Sequence, residues 1–149
     1  MLEREQLIEE LWSRLANVSG VQYTARNPKA EPGVDNMPCI QFFEMDDTPE
    51  PAQSRGGSAA YPAYKRTLKV IIEAFVKGTS EASSSKELAE FVLDVKRSLY
   101  TTGNVLIPNS MFLETEGSRM LRPPTGDNVV GIGIVLEITY IEDIAKLFA

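Results

Sequence analysis

Residues 129–141, VVGIGIVLEITYI, alternate with a period of two. Val130, Ile132, Ile134, Leu136, Ile138 and Tyr140 fall on one side, and Gly131, Gly133, Val135, Glu137 and Thr139 on the other. Successive side chains of a strand point to opposite faces, so an apolar set at this spacing specifies a long strand with one face buried. A second run, 66–76, repeats the pattern with Leu68, Val70, Ile72, Ala74 and Val76 on one face. Its other face carries Thr67, Lys69 and Glu73 together with Ile71 and Phe75, so this strand is expected to be covered on both sides at its far end. Gly78 breaks it.

The period changes elsewhere. Leu7, Ile8, Leu11, Trp12 and Leu15 recur at spacings of three and four, which predicts an amphipathic helix over about 2–16, ended by 17–20 with Gly20 as a left-handed terminator. Leu88, Phe91, Val92, Val95 and Leu99 mark a second helix running to about Tyr100 and stopped by Gly103. Ser84 followed by Glu87 has the form of a capping box, with Ser83 as the other candidate cap. Shorter strands are expected at 21–24, at 39–45 opened by Pro38, and at 111–116. The order of helix, short strand, strand, long strand, helix, strand, long strand predicts an α+β fold. In it a mixed, mostly antiparallel sheet packs against two helices within a single domain, 1–149.

Residues 46–62, DDTPEPAQSRGGSAAYP, interrupt this order. They hold three prolines and two adjacent glycines without apolar periodicity, so they build no core of their own. Loops of this length are uncommon in compact domains, and this one is expected to reach a neighbouring chain. A second turn-rich connection is expected at 117–128, around Pro123, Pro124 and Gly126.

Composition narrows the function classes. A formal net charge of -6 argues against a general nucleic-acid binder, which carries a basic face. With one cysteine, Cys39, no internal disulfide can form and nothing points to an oxidising compartment. No apolar run approaches the ~18 residues of a membrane span, and the charged, helical start differs from a signal peptide, so an intracellular protein is the simplest reading. The absence of histidine removes the commonest general base and lowers the expectation of an enzyme.

Each candidate for chemistry has a plainer reading. Gly131-Ile132-Gly133 sits inside a strand pattern with no helix after it, so close approach of a backbone or helix is favoured over nucleotide binding. Glu44, Asp46 and Asp47 could offer oxygen ligands to a hard cation; a solvated strand end is the favoured alternative. Cys39 lacks a histidine to activate it and reads as a small buried hydrophobe. No cofactor or metal site is expected.

Tyr61, Tyr64, Lys65 and Arg66 combine aromatic and basic character at the end of the long loop, which also holds Arg55. Stacking on nucleic acid is one use for them, and a protein interface is the favoured one given the acidic chain. Arg119 and Arg122 read first as part of an exposed turn and next as a partner contact. Ile144, Leu147 and Phe148 close the chain on an apolar tail that either packs on its own core or docks on a neighbour.

The layout resembles the bacteriophage tail terminators, also called tail completion or head-to-tail joining proteins. The resemblance rests on LIEELWSRL followed by VQYT, on MPCIQFFEM opened by proline, on YKRTLKVIIEAFVKG leading into KELAEFVLDVKRSLY, and on GIGIVLEITYIED near the end of the chain. It covers most of the chain as a pattern of elements and carries no catalytic motif. It implies a subunit that assembles with its own copies into a ring, typically of six, located in the tail or neck of a virion assembled in the host cytoplasm. Its further partners would be the tail tube protein, a neck or head-completion protein and, in a contractile tail, the sheath. DNA would pass through the lumen without specific binding, and no membrane is involved.

The expected interface residues are therefore Arg55, Tyr61, Tyr64, Arg66, Arg119, Arg122 and Phe148, with the two loops as the partner-contacting segments. The alternatives are another neck component, such as a head-completion or connector subunit, and, from a different class, a small enzyme or ligand-binding module using Glu44, Asp46 and Asp47. Deleting residues 55–60 is expected to leave a folded monomer that assembles poorly. Normal rings and capped tubes from that variant would overturn the role given to the loop.

Overall fold

The first helix, α1 (Glu3–Ala16), buries Leu7, Ile8, Leu11 and Leu15 on one stripe, and its first turn carries Glu3 and Glu5, where the helix dipole favours negative charge. Trp12 lies at the margin of that stripe, half exposed, with its ring edge-on to Phe42 at 6.0 Å. In this computed structural model, which describes residues 2–50, 60–121 and 128–148, the helix is followed by β1 (Tyr23–Arg26), a 3-10 turn (Val34–Asn36) and β2 (Cys39–Pro49). Then come β3 (Ala63–Lys77), α2 (Glu81–Leu99), β4 (Met111–Leu121), β5 (Val129–Asp143) and a 3-10 turn (Ile144–Phe148).

The five strands form one sheet in the order β1-β2-β3-β5-β4, with β1 and β2 parallel and the other neighbours antiparallel. The two periodic runs are its centre. β3 and β5 pair without a break from Ala63↔Asp143 to Lys77↔Val129. Their alternating sets, Leu68 to Val76 and Ile134 to Tyr140, join the stripes of α1 and α2 in one apolar core that also takes Ile40, Phe42 and Phe112. Both helices thus cover the same face of the sheet. The α+β layout is the one its periodicities predict.

Two close approaches explain glycines. A Cβ on Gly131 would lie 2.4 Å from Phe75 Cδ1, because the Phe75 ring folds over Gly131 across the β3–β5 pair. What approaches the glycine is a ring, not a backbone or helix, and Phe75 is buried there on the face away from the helices. At Gly78 a Cβ would lie 2.5–2.7 Å from Ser84, whose buried hydroxyl accepts from Gly78 N–H (3.1 Å) and lies 2.7 Å from the Asn128 carbonyl. Ser84 therefore ties the end of β3 to the start of β5 rather than capping α2. The cap is Ser80, paired with Ser83 in a reciprocal box, and the helix starts before the point its apolar stripe marks.

Two strand ends move for one reason. β2 runs on to Pro49 and β4 to Leu121, so residues 46–49 and 117–121 are strand and not loop. A register shift lies between Glu44 and Asp47 in β2, and two more lie between Glu114 and Arg119 in β4. Each shift breaks the alternation that marks a strand in sequence. β1 begins at Tyr23 because Val21 N–H turns back to the Val18 carbonyl (3.2 Å). Among the described residues no helix is long and apolar enough to cross a membrane.

Arg14 locks the helices together. It is buried at the end of α1, where Nη1 donates to the Leu99 carbonyl (2.7 Å) and Nη2 to Thr102 Oγ1 (2.7 Å) and the Val105 carbonyl (2.7 Å). Nε donates to Glu10 (3.0 Å). One planar cation thus satisfies the C-terminus of α2 and the turn after it, a geometry that lysine cannot reproduce. Arg14→Met should lower unfolding free energy by about 1–3 kcal/mol, since the buried Leu99 carbonyl loses its donor. Arg14→Lys should recover only part of it. Urea denaturation checks this, and a loss below about 0.5 kcal/mol, typical of a surface substitution, would overturn it.

Candidate functional site

The expected interface residues fall at two opposite ends of the sheet. Tyr61 precedes β3, Tyr64 and Arg66 begin it, and Phe148 follows β5. The full-length pairing sets all four at the Ala63/Asp143 end. Arg119 pairs with Gly133, which pairs with Glu73, toward the other end. From Arg66 to Glu73 is seven residues along β3, roughly 23 Å at ~3.3 Å per residue. Arg55 and Arg122 lie outside the described residues, as do 51–59 of the long loop and 122–127 of the second connection.

The C-terminal tail turns back on its own chain. Ile144 N–H donates to the Pro62 carbonyl (3.1 Å), and the Phe148 ring sits 5.0 Å from that of Tyr61. No residue of this last turn is buried, and Phe148 is 69% exposed. The tail therefore joins no core but forms with Tyr61 and Leu147 an exposed apolar patch. Tyr64 is half-buried and opposite Glu142 in the β3–β5 pair. Arg119 is exposed.

Arg66 is committed inside the chain. Its Nε donates to Glu142 (3.0 Å) and its Nη1 lies 3.7 Å from Asp47. It belongs to a chain of ion pairs that its neighbours in sequence did not announce: Glu5, Arg26, Glu44, Arg4, Asp47, Arg66 and Glu142. Arg26 donates to Glu5 (2.6 Å) and Glu44 (2.7 Å), and Arg4 donates to Glu44 (3.2 Å) and Asp47 (2.8 Å). The Tyr140 hydroxyl also donates to Asp47 (2.6 Å). Asn27, at a positive φ of 46°, ends β1, donates from its amide to Glu44 (2.7 Å) and accepts from Glu44 N–H (2.9 Å).

This arrangement corrects the reading of Glu44 and Asp47 as a solvated strand end. Their side chains are only 6% and 12% exposed, and guanidinium groups occupy the place a hard cation would take. Asp46, in the register shift between them, points to solvent. Burial alone would push Glu44 upward. The hydrogen bonds from Arg26, Asn27 and Arg4 and the charge of Arg26 outweigh it, holding the carboxyl below the usual range. Glu5 is held low chiefly by its hydrogen bond from Arg26. Burial raises the Tyr140 phenol, and Asp47 raises it further. Chemically the cluster is a clamp, in which α1 is fastened to β1, the β2 shift and the central strands. Cys39 is fully buried, and burial pushes its thiol up to about 12, so it behaves as the small hydrophobe its setting suggests.

With this geometry in hand, comparison with known proteins gives the following. No family profile matches the chain, and no curated protein does. Among solved structures, a protein without a descriptive name is similar over 93% of this chain and 96% of its own, at 16% identity and a TM-score of 0.44. A sheath/tube terminator from an extracellular contractile injection system, in the extended state, is similar over 93% of this chain at 10% identity and a TM-score of 0.39. This chain spans 57% of that protein's length.

The clamp sets an acid limit. Glu44 and Glu5 have folded-state values below their unfolded ones, so the unfolded chain binds more protons as the pH falls. Their contribution is complete above the ordinary glutamate value of ~4.3 and is lost as the pH drops through the lower folded values. Unfolding free energy should fall steadily from about pH 5 to pH 3. Glu44→Gln should cost about 1–3 kcal/mol at pH 7, because Arg26 and Arg4 lose a charged partner, and should flatten that acid slope. An unchanged slope in urea titrations across this range would remove Glu44 from the clamp's energetics.

Proposed function

We propose that this chain is a structural subunit of a phage or phage-like tail. In this reading it is a terminator that closes with its own copies into a ring, caps the tail tube, stops the tube from growing and joins the tail to the neck or head. The element pattern of the sequence supplies this reading. The observation that supports it from the fold is the placement of the outward features on one sheet. Two different strands, β1 and β4, form its lateral edges, and the two long connections leave from opposite ends. A ring subunit held between two partners needs two lateral surfaces for its neighbours and two axial ends for what lies above and below. β3, at 15 residues, spans roughly 50 Å between those ends at ~3.3 Å per residue.

On this reading the patch of Tyr61, Leu147 and Phe148 serves one axial partner and the Arg119 end serves the other. One partner is the tail tube and the other a neck or head-completion protein, joined by the sheath where the tail contracts. The ring has six copies, by the family resemblance, and DNA passes through its lumen unbound. The proposal includes no catalytic step and no cofactor.

Tails assembled without this chain should show tubes of uncontrolled length in negative stain, and adding the purified protein should restore a narrow distribution. Normal lengths without it would overturn the terminator role. Normal tails that fail to join heads would assign it to the neck instead.

A further inference from the structure

The two sheet edges carry matched features that the clamp and the axial ends do not use. Among the described residues β4 pairs only with β5, and it is exposed along most of its length. Phe112 N–H is taken by the Asn104 carbonyl (2.9 Å), so its open stretch starts beyond that group. On this stretch Leu121, half-buried, lies on the face away from the helices, opposite Gly131, and Met120 (53% exposed) on the helix side, opposite Ile132. The other edge is β1, which among the described residues pairs only with β2. Beside it Tyr23 (43%) lies on the helix-free face, opposite Cys39 in the same register as Phe75, while Trp12 (38%) flanks it on the helix side. Each edge thus offers backbone groups that no other described strand takes up, with one large apolar side chain above and below them. A long apolar edge left open is a template for another strand.

We infer that the outer edge of β4 in one copy pairs with the outer edge of β1 in the next, extending the sheet from subunit to subunit around the ring. The inference rests on the ring reading above and names its lateral interface. Strand sense supports a second copy as the occupant. β4 runs in the direction of β3, and β1 in the direction of β2, opposite to β3. Rotation about an axis along the strands keeps those senses, so β4 of one copy meets β1 of the next antiparallel, the commoner and stronger pairing. The edges differ, so the contact is head-to-tail and propagates until it closes. Length also fits. The two register shifts between Glu114 and Arg119 leave β4 able to hold only a short strand, and β1 has four residues. The rotation also keeps heights: Tyr23 shares a row with Cys39, Phe75, Gly131 and Leu121, so it meets Leu121 of the next copy on the helix-free face, with Trp12 on the side of Met120.

The test is cross-linking in assembled tails with Tyr23→Cys and Leu121→Cys in the same chain. Within one copy the two positions lie on opposite edges of a five-stranded sheet, too far apart for a short bis-maleimide, and buried Cys39 stays unreactive. The double variant should give a covalent ladder reaching the full ring, whereas each single variant gives monomer. Met120→Lys and Met120→Glu, at an exposed position, should keep the circular dichroism and melting of the parent yet reduce ring formation at least tenfold. Capped tails without a ladder, or charge variants that assemble normally, would overturn the edge pairing and leave the terminator role standing. Loss of any assembly by the parent protein on tubes would instead overturn both.

Discussion

The uninterrupted pairing of β3 with β5 is the constraint on which the rest of this molecule depends. It runs from Ala63↔Asp143 to Lys77↔Val129 and puts two alternating apolar sets on the same face. Because side-chain direction has a period of two, a slip by one residue would turn both sets toward solvent. Once this register is set, both helices must lie on one side, where the stripes of α1 and α2 find apolar partners. The other side keeps Lys69, Glu73, Glu137 and Thr139 in contact with water over much of its area. The same pairing fixes which connections share an end: the segment before β3 meets the chain after β5, and the one before β5 meets the chain after β3.

Around that centre, polar side chains do the fastening that apolar burial leaves undone. Arg14 gives its donors to the ends of α2 and the following turn. At the opposite end of α1, Arg4 and Arg26 share Glu44 and reach Asp47 and Glu5. The shift between Glu44 and Asp47 makes the second cluster possible. It offsets the alternation, so both carboxylates turn toward the helix side where Arg4 lies. Desolvating two carboxylates is unfavourable by itself, and the several charge-assisted hydrogen bonds offset that cost. The result is a rigid body whose variable features, an exposed aromatic patch and two unlike edges, project from it.

Much of the fold was legible because it depends on periodicity. The period-two runs and the three-and-four spacing of α1 and α2 place four of the main elements, β3, β5, α1 and α2, to within a few residues. The misplacements have definite causes. The ends of β2 and β4 look like loop in the sequence because register shifts break the alternation there. The cap of α2 was displaced because three successive serines, Ser83 to Ser85, precede the stripe and only the backbone turn at Ser80 selects among the candidates. The site residues divide in the same way. Tyr61 and Phe148 are apolar at positions flanking strands, and the fold leaves them outward. Arg66 sits in a similar place but finds Asp47 and Glu142, partners 19 and 76 residues away. Nothing in the local sequence distinguishes an arginine that meets a carboxylate from one that meets water.

The sequence by itself determined the α+β class, the two central strands and the two helices. It also made Cys39 a buried hydrophobe and left no histidine for chemistry. These follow from local spacing and composition, which every compact arrangement of the chain must respect. Only the tertiary structure decided that the two long connections leave from opposite ends, that Glu44 and Asp47 are held by arginines, and that β1 and β4 are the outer strands of the sheet. Those facts depend on the strand order and register, which are set by contacts between residues far apart in the chain.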